Sequence, residues 1–115
     1  MEIGVDIEDI SRFKNKDNKF LERIFTKNEL DYCLKNLNPE KNLCARFCAK
    51  EATIKALTNL YDKAVPYNKI EILKKENNAP YINILIEDLK KHSFSLSISH
   101  EKEKAIAFVI INKGE

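Results

Sequence analysis

Two carboxylates stand where the local sequence pattern favours uncharged groups. Asp6 lies in an alternating segment that predicts a strand over residues 2–7, on the same face as Gly4. Glu51 borders the apolar stripe of a helix predicted over residues 43–61, where an unpaired buried charge costs several kcal/mol. If the two converge, they supply hard oxygen ligands of the kind that Mg²⁺ takes together with waters and phosphate oxygens. In the alternative interpretation, Asp6 is a solvated strand end and Glu51 pairs with Lys55, four residues on.

Lys50 borders the same helical stripe on its other side. Its ammonium must be paired, bound to a ligand or placed at the lip of a cleft, unless it reaches water along its own aliphatic chain. Cys44 and Cys48 lie four residues apart on this helix, and no Cys or His pair nearby completes a zinc set. We therefore expect buried, reduced thiols.

An alternating run of serines precedes His100. Residues 93–100 read SFSLSISH, so four serines share one strand face and the apolar side chains share the other. No G-x-S-x-G elbow and no triad spacing is visible, so the run does not indicate a serine hydrolase. His92 is expected at the surface, and His100 is either surface decoration or a functional group at a strand end.

Periodicity predicts the elements that position these side chains. Asp9 or Ser11 is expected to cap a first helix, and Thr26 with Glu29 forms a capping box for a second helix, which Pro39 ends. Further strands are predicted near residues 70–73, 81–86, 94–98 and 105–111, with hairpin turns at 75–79 and 100–104. A strand, then helices, then strands without helical crossovers indicates an α+β fold with a largely antiparallel sheet and one long central helix.

Length and composition limit the function classes. The 115 residues, 43% hydrophobic and 33% charged, predict one domain over residues 1–115. With no long apolar run and an acidic N-terminus, we expect a soluble, cytoplasmic protein. The formal net charge is only +2, but residues 11–50 hold ten bases and five acids. This stretch suits an acidic protein, a phosphate-bearing small molecule or nucleic acid, or is simply a lysine-rich solvated surface.

Three motifs in order resemble those of the holo-acyl-carrier-protein synthase family, the small type of 4′-phosphopantetheinyl transferase. Residues 3–7 read IGVDI, matching I-G-x-D-I. Residues 46–56 read RFCAKEATIKA, matching R-[FW]-x-x-K-E-A-x-x-K-A, and residues 97–100 read SISH. Residues 23–29 also match R-I-[LF]-T-x-x-E. The resemblance spans nearly the whole chain and implies that family's fold.

Two positions depart from the family pattern. The usual Gly-Thr-Gly after the long helix is replaced by Thr58-Asn59-Leu60, which changes the expected coenzyme contacts over residues 58–62. The usual Gly-x-Pro turn reads Asn78-Ala79-Pro80, a conservative change because Asn tolerates positive φ.

The resemblance implies transfer of 4′-phosphopantetheine from coenzyme A to a serine of apo acyl carrier protein in fatty acid biosynthesis, releasing adenosine 3′,5′-bisphosphate. Asp6 and Glu51 would hold Mg²⁺, with Lys50 adding positive charge near the transferred phosphoryl group. Coenzyme contacts are implied for Arg46, Lys50, Lys55, Ser99 and His100. The general base stays open among a water on the metal, Glu51 and His100.

The resemblance also implies partners. An acidic carrier protein would dock on the basic first helix, at Arg12, Lys19 and Arg23, and the chain would form a homotrimer with active sites between subunits. Two alternatives remain at this point. One is a coenzyme A-binding paralogue with weak or no transfer activity, and the other is a small basic nucleic-acid-binding module, which leaves Asp6 and Glu51 unexplained.

Overall fold

The computed structural model describes all 115 residues. The strands are β1 (Glu2–Asp9), β2 (Ile70–Lys74), β3 (Pro80–Ile84), β4 (Ser93–His100) and β5 (Lys104–Asn112). The α-helices are α1 (Asn18–Ile24), α2 (Lys27–Cys33) and α3 (Pro39–Leu57), and short 3-10 turns cover Ile10–Phe13, Tyr67–Lys69 and Glu87–Leu89. None of the helices has an apolar stretch of the length that a bilayer crossing requires.

The strands form two antiparallel sheets rather than one. In the larger sheet β5 lies between β1 and β4, and β2 pairs with β3 in a separate hairpin. The long helix α3 packs across β1 and β5. The α+β class, the antiparallel pairing, the two hairpin turns and the single long helix are therefore confirmed.

Gly4 sets the distance between β1 and α3. A Cβ atom at this position would lie 2.0 Å from the carbonyl oxygen of Ala52 and 2.8 Å from the amide nitrogen of Ala56. The helix backbone therefore rests directly on the strand, which only glycine permits. Because side chains alternate along a strand, Asp6 also lies on the face that α3 covers.

Two apolar cores flank α3. One packs small helix residues such as Ala49 and Ala52 against β2 and β5. The other surrounds Phe47 with aromatic side chains of the N-terminal segment, and the ring centroids of Phe13 and Phe47 lie 5.2 Å apart. Because both sides of the helix are buried, charged groups in its middle must find partners inside the fold.

The first predicted helix is divided in the structure, and its predicted cap is wrong. Asn15, with φ of 56°, separates the first 3-10 turn from α1. Asp9 makes no capping hydrogen bond, and Ser11 lies within the 3-10 turn. Asp17 caps α1 instead, since its carboxylate accepts a hydrogen bond from the amide of Phe20 at 2.9 Å.

Pro39 begins α3 and does not end α2. Proline suits the first turn of a helix because its missing N–H is one of the donors left free there. The central helix consequently spans Pro39–Leu57, earlier than the predicted 43–61. The capping box is confirmed, with the Thr26 hydroxyl accepting from the Glu29 amide and the Glu29 carboxylate accepting from the Thr26 amide.

The apolar face of β1 points away from the helices. Ile3 and Ile7 are 61% and 58% exposed, and Val5 between them is also exposed. On β5, Ile106 and Phe108 stand opposite Ile7 and Val5 and are exposed as well. The larger sheet therefore presents a continuous apolar surface formed by Ile3, Val5, Ile7, Ile106 and Phe108, which we call the outer sheet face.

His92 is buried, so its predicted surface position is wrong. Its Nδ1 accepts a hydrogen bond from the amide of Gly114 at 3.0 Å, because the C-terminal segment folds back over it. Burial, with the nearby charges of Lys91 and Lys113, lowers the pKa of His92.

All three cysteines are free and buried, as predicted for Cys44 and Cys48. Burial raises the pKa of Cys33 and of Cys44 to about 11. The Sγ of Cys48 lies 3.0 Å from the main-chain oxygen of Asp6 and joins α3 to β1.

Candidate active site

Three carboxylates converge where β1 crosses α3. Asp6 and Glu8 lie on the inner face of β1, and Glu51 projects from α3. One carboxylate oxygen from each lies within 4.8 Å of the others. We call Asp6, Glu8 and Glu51 the acidic cluster. The structure thus brings together Asp6 and Glu51, which are 45 positions apart in the sequence.

Asp6 is the most buried member of the acidic cluster, with only 8% of its surface exposed. Its Oδ1 accepts a hydrogen bond from Lys55 Nζ at 2.9 Å. Its Oδ2 is buried and has no hydrogen-bond partner. A buried carboxylate oxygen is normally satisfied, so this atom is an acceptor available to a ligand.

Glu8 is a member that the sequence reasoning missed. It is two residues after Asp6, and strand alternation alone places both on one face. Its Oε1 accepts a hydrogen bond from Arg12 Nη1 at 2.7 Å. Burial and the Asp6 carboxylate raise the pKa of Glu8 to about 7, although Arg12 opposes this shift.

Lys55 pairs with Asp6 and not with Glu51, so the ordinary helical pair expected as an alternative does not form. Its Nζ also donates to the main-chain oxygen of Val5 at 3.1 Å. The hydrogen bond to Asp6 raises the pKa of Lys55. Glu51 instead lies beside Tyr67, whose pKa is raised to about 12 by burial and by the Glu51 carboxylate.

The donor chemistry of the acidic cluster fits Mg²⁺. All three groups offer hard oxygen atoms, which this cation prefers, and Asp6 Oδ2 is an orphaned buried acceptor beside them. Three carboxylates at this separation repel one another unless a cation lies close by. Arg12 and Lys55 supply partial compensation from the side.

Lys50 does not reach the acidic cluster. Its ammonium is completely buried and contacts Glu29 Oε1 at 2.7 Å and the main-chain oxygens of Tyr67 at 2.9 Å and Ile70 at 2.5 Å. The expectation that Lys50 places its charge beside a transferred phosphoryl group therefore does not fit the structure. Although Lys50 stands at the edge of the apolar stripe, its side chain points inward because it pairs with the buried carboxylate of Glu29.

A basic cavity of about 210 Å³ lies between α3, the β2–β3 hairpin and the end of β4. Arg46 and His100, both predicted as coenzyme contacts, line it together. The sequence reasoning missed its other polar lining residues, which are Lys41, Asn42, Lys74 and Asn78. Their positions depend on how the hairpin folds against α3, which no local pattern shows.

Arg46 is held rigidly at the wall of this cavity. It is only 4% exposed, and its guanidinium carbon lies 4.5 Å from the centroid of the Tyr32 ring. Its Nη1 donates to the main-chain oxygen of Asn42 at 3.4 Å, whereas its buried Nε has no partner. A nearly buried guanidinium that lines a cavity together with other bases favours an anionic ligand.

Two further predictions concern the loops. Asn78 has φ of 68°, so the expected positive φ at the Gly-x-Pro position is confirmed. After α3 the chain turns without glycine, and the amides of Leu60 and Tyr61 both bond to the oxygen of Leu57.

Ser99 is exposed and lies outside the basic cavity.

The predicted docking residues differ in their freedom. Lys19 and Arg23 are exposed on α1. Arg12 is half exposed, but its guanidinium is tied to Glu8 and lies 4.8 Å from the Phe47 ring centroid. Arg12 therefore connects the basic surface to the acidic cluster.

Comparison with known proteins agrees with the sequence motifs. Residues 2–109 match the family described as the 4′-phosphopantetheinyl transferase superfamily. The holo-[acyl-carrier-protein] synthase of Chlorobium limicola is 38% identical over 118 residues, covering 97% of this chain and 94% of that protein. The chain belongs to the holo-[acyl-carrier-protein] synthase family. The enzyme class and the fold that the motifs implied are thereby confirmed.

Solved structures of this family share the architecture. The Helicobacter pylori holo-[acyl-carrier-protein] synthase in complex with coenzyme A is 35% identical, with a TM-score of 0.82 over 96% of this chain and 99% of that one. The Bacillus anthracis enzyme in complex with CoA (3′,5′-ADP) is 33% identical, with a TM-score of 0.82 over 96% and 94% of the two chains.

Proposed function

We propose that this enzyme transfers the 4′-phosphopantetheine group of coenzyme A to a serine of an apo acyl carrier protein, with Mg²⁺, as a cytoplasmic step of fatty acid biosynthesis. The names of its relatives and their coenzyme complexes support the reaction and both substrates. The observation that carries the proposal is the convergence of Asp6 and Glu51 beside an orphaned buried oxygen. Relatives align over nearly the whole chain, which supports residues 1–115 acting as one domain.

The reaction is a displacement at phosphorus. The serine oxygen bonds to the phosphorus that carries pantetheine, and the bond from this phosphorus to the bridging oxygen breaks. Adenosine 3′,5′-bisphosphate leaves with the electron pair, and the serine proton passes to a base. Because a diphosphate repels an incoming oxygen, the site must neutralise charge and hold the reactants in line.

Asp6 and Glu51 would hold the metal ion. When bound, Mg²⁺ supplies charge neutralisation and orientation at the diphosphate oxygens. Lys55 reaches the same place from the next turn of α3, and its exposed ammonium can turn from Asp6 to a phosphate. Lys50 acts as a positioning residue, because its buried pair with Glu29 fixes the turn of α3 that carries Glu51.

The basic cavity would take the phosphate-rich adenosine end of coenzyme A. Arg46 and His100 line it together with the cationic side chains of Lys41 and Lys74. This assignment gives two of the predicted coenzyme contacts one shared pocket. Dephospho-coenzyme A, which lacks the 3′-phosphate, should bind wild type more weakly than coenzyme A does. Arg46→Ala should weaken the binding of dephospho-coenzyme A only a little further.

Among the candidates for the base that takes the serine proton, Glu51 lies in the acidic cluster and His100 at the end of β4. A carboxylate base and an imidazole base give different pH profiles of kcat, so that profile distinguishes the two candidates. His100→Gln removes an imidazole step from that profile if His100 is the base. The profile keeps its shape if the proton passes to the acidic cluster.

The exposed cations of α1 would dock the acidic carrier protein. Lys19 and Arg23 project to solvent, whereas Phe13 lies in the core and Phe20 packs against it. Complementary charge of this kind mainly speeds association and sets orientation.

The outer sheet face would associate the chain into a homotrimer with active sites at the subunit interfaces. A monomer rarely exposes a continuous apolar surface of five such side chains on neighbouring strands. Sedimentation of wild type and Phe108→Glu tests this, with dissociation expected in the variant. A monomeric wild type would contradict the assembly.

Mass spectrometry of the carrier protein tests the function directly. The purified chain, apo carrier protein, coenzyme A and Mg²⁺ should yield a carrier heavier by one phosphopantetheine arm. Glu51→Gln and Asp6→Asn should remain folded and yield none, while Asp9→Asn, on the opposite face of β1, retains transfer. No added arm in wild type would overturn the proposed function.

A further inference from the structure

We propose that Glu8 is a third protein ligand of the metal centre, so that the free enzyme binds a divalent cation through Asp6, Glu8 and Glu51 before coenzyme A arrives. This inference rests on the proposed function and concerns the same site. It assigns to Glu8 a role that none of the three sequence motifs contains.

The geometry of β1 carries the first step. Glu8 and Asp6 lie on one face of the strand, and their carboxylate oxygens and that of Glu51 fall within 4.8 Å of one another. Directly across the sheet from these two acids stand Ala105 and Ala107, whose methyl groups cannot reach over the cluster. Neither alanine supplies a hydrogen-bond donor or a charge to the three carboxylates.

The unpartnered Oδ2 of Asp6 carries the second step. Asp6 is 8% exposed, and this buried oxygen accepts no hydrogen bond. Lys55 takes Oδ1, and Arg12 takes Glu8. A divalent cation among the three groups would satisfy the orphaned oxygen and relieve the repulsion at once.

The number of carboxylates decides when the metal binds. Mg²⁺ sites with one or two carboxylates usually depend on substrate phosphates to complete them. A third anionic ligand strengthens the site enough to hold the cation without substrate, because affinity rises with ligand charge count. Arg12 and Lys55 then act as counter-ions of the empty cluster, which the cation displaces from the carboxylates.

Manganese titration followed by electron paramagnetic resonance tests the proposal without any measurement of activity. Mn²⁺ is added to the metal-free chain, alone and with saturating coenzyme A, for wild type, Glu8→Gln, Arg12→Gln and Asp9→Asn. Wild type should bind Mn²⁺ without coenzyme A, and Glu8→Gln should weaken the Kd in that arm by about tenfold or more. Asp9→Asn, the adjacent exposed acid, should bind as wild type does.

Arg12→Gln separates ligation from the ion pair. Both Glu8→Gln and Arg12→Gln break the contact between these residues, but only Glu8→Gln removes a carboxylate. Weakened Mn²⁺ binding in Glu8→Gln alone supports the proposal, with thermal melts showing that both variants are folded. The proposal is overturned if wild type binds no Mn²⁺ without coenzyme A, if wild type and Glu8→Gln have equal Kd values in that arm, or if both variants lose affinity equally. Each of these results leaves transfer by wild type, and hence the proposed function, intact.

Discussion

Replacing Lys50 by methionine removes one half of a fully buried ion pair while nearly conserving side-chain volume. Glu29 would keep hydrogen bonds from the amides of Thr26 and Ile72, both at 2.9 Å, but would lose its only cationic partner. Two main-chain oxygens in segment 67–70 would lose their ammonium donor as well. Leaving one buried charge uncompensated typically costs about 3–5 kcal/mol. We therefore expect Lys50→Met to lose roughly that much free energy of unfolding.

Urea unfolding followed by circular dichroism, at fixed protein concentration and without metal, measures this loss. The double variant Lys50→Met with Glu29→Leu should recover part of it, because the stranded carboxylate is gone. Lys35→Met is the matched control, an exposed lysine whose replacement should change stability by less than about 0.5 kcal/mol. A Lys50→Met protein that is as stable as wild type but transfers nothing would refute this reasoning. It would indicate that Lys50 acts on the substrate and not on the stability of the fold.

Three further predictions follow from contacts elsewhere in the fold. Gly4→Ala places a Cβ 2.0 Å from the oxygen of Ala52, so it should cost about 1–3 kcal/mol or more of stability and abolish transfer, measured by urea unfolding and carrier mass. Lys19→Glu with Arg23→Glu should raise the KM for carrier protein several-fold and leave that for coenzyme A unchanged; equal increases would contradict docking on α1. The lowered pKa of His92 means that the unfolded chain binds the proton more readily, so stability should fall as pH drops through the ordinary histidine value of about 6.5. Urea unfolding on both sides of that pH should show a smaller fall for His92→Asn, and an equal fall would exclude His92 as the cause.

The acidic cluster shows what the sequence could predict of the site. Alternation in β1 placed Asp6 on the face opposite the apolar side chains, and helical periodicity placed Glu51 beside the apolar stripe. The same alternation indicates Glu8, which could have been found by extending the strand by one more pair of residues. That β1 and α3 cross at Gly4 is a tertiary contact, and no local pattern contains it.

Lys50 shows where local pattern stops being informative. Its position at the edge of the stripe required a partner or an exit to water, and both outcomes are compatible with the same periodicity. The partner, Glu29, stands 21 positions earlier and was explained locally by its capping box. Whether the Lys50 side chain points into the core or out to solvent depends on the distant carboxylate of Glu29.

The face of β1 that packs inward was also beyond the pattern. Alternation separates Ile3, Val5 and Ile7 from Gly4 and Asp6 but does not say which set faces the helix. In a lone chain the apolar set would be buried, yet it forms the outer sheet face. The face of β1 that carries Gly4 packs on α3 because only glycine permits the close contact. The apolar side chains of the other face are therefore exposed and available for association.

The most direct test is diffraction at the manganese absorption edge from crystals grown with Mn²⁺ and coenzyme A. It shows whether Asp6 and Glu51 coordinate one cation at the diphosphate. An anomalous peak within coordination distance of both carboxylates and of a diphosphate oxygen is the expected result. A peak bound elsewhere, or a fully bound coenzyme with no metal between these two side chains, would contradict it.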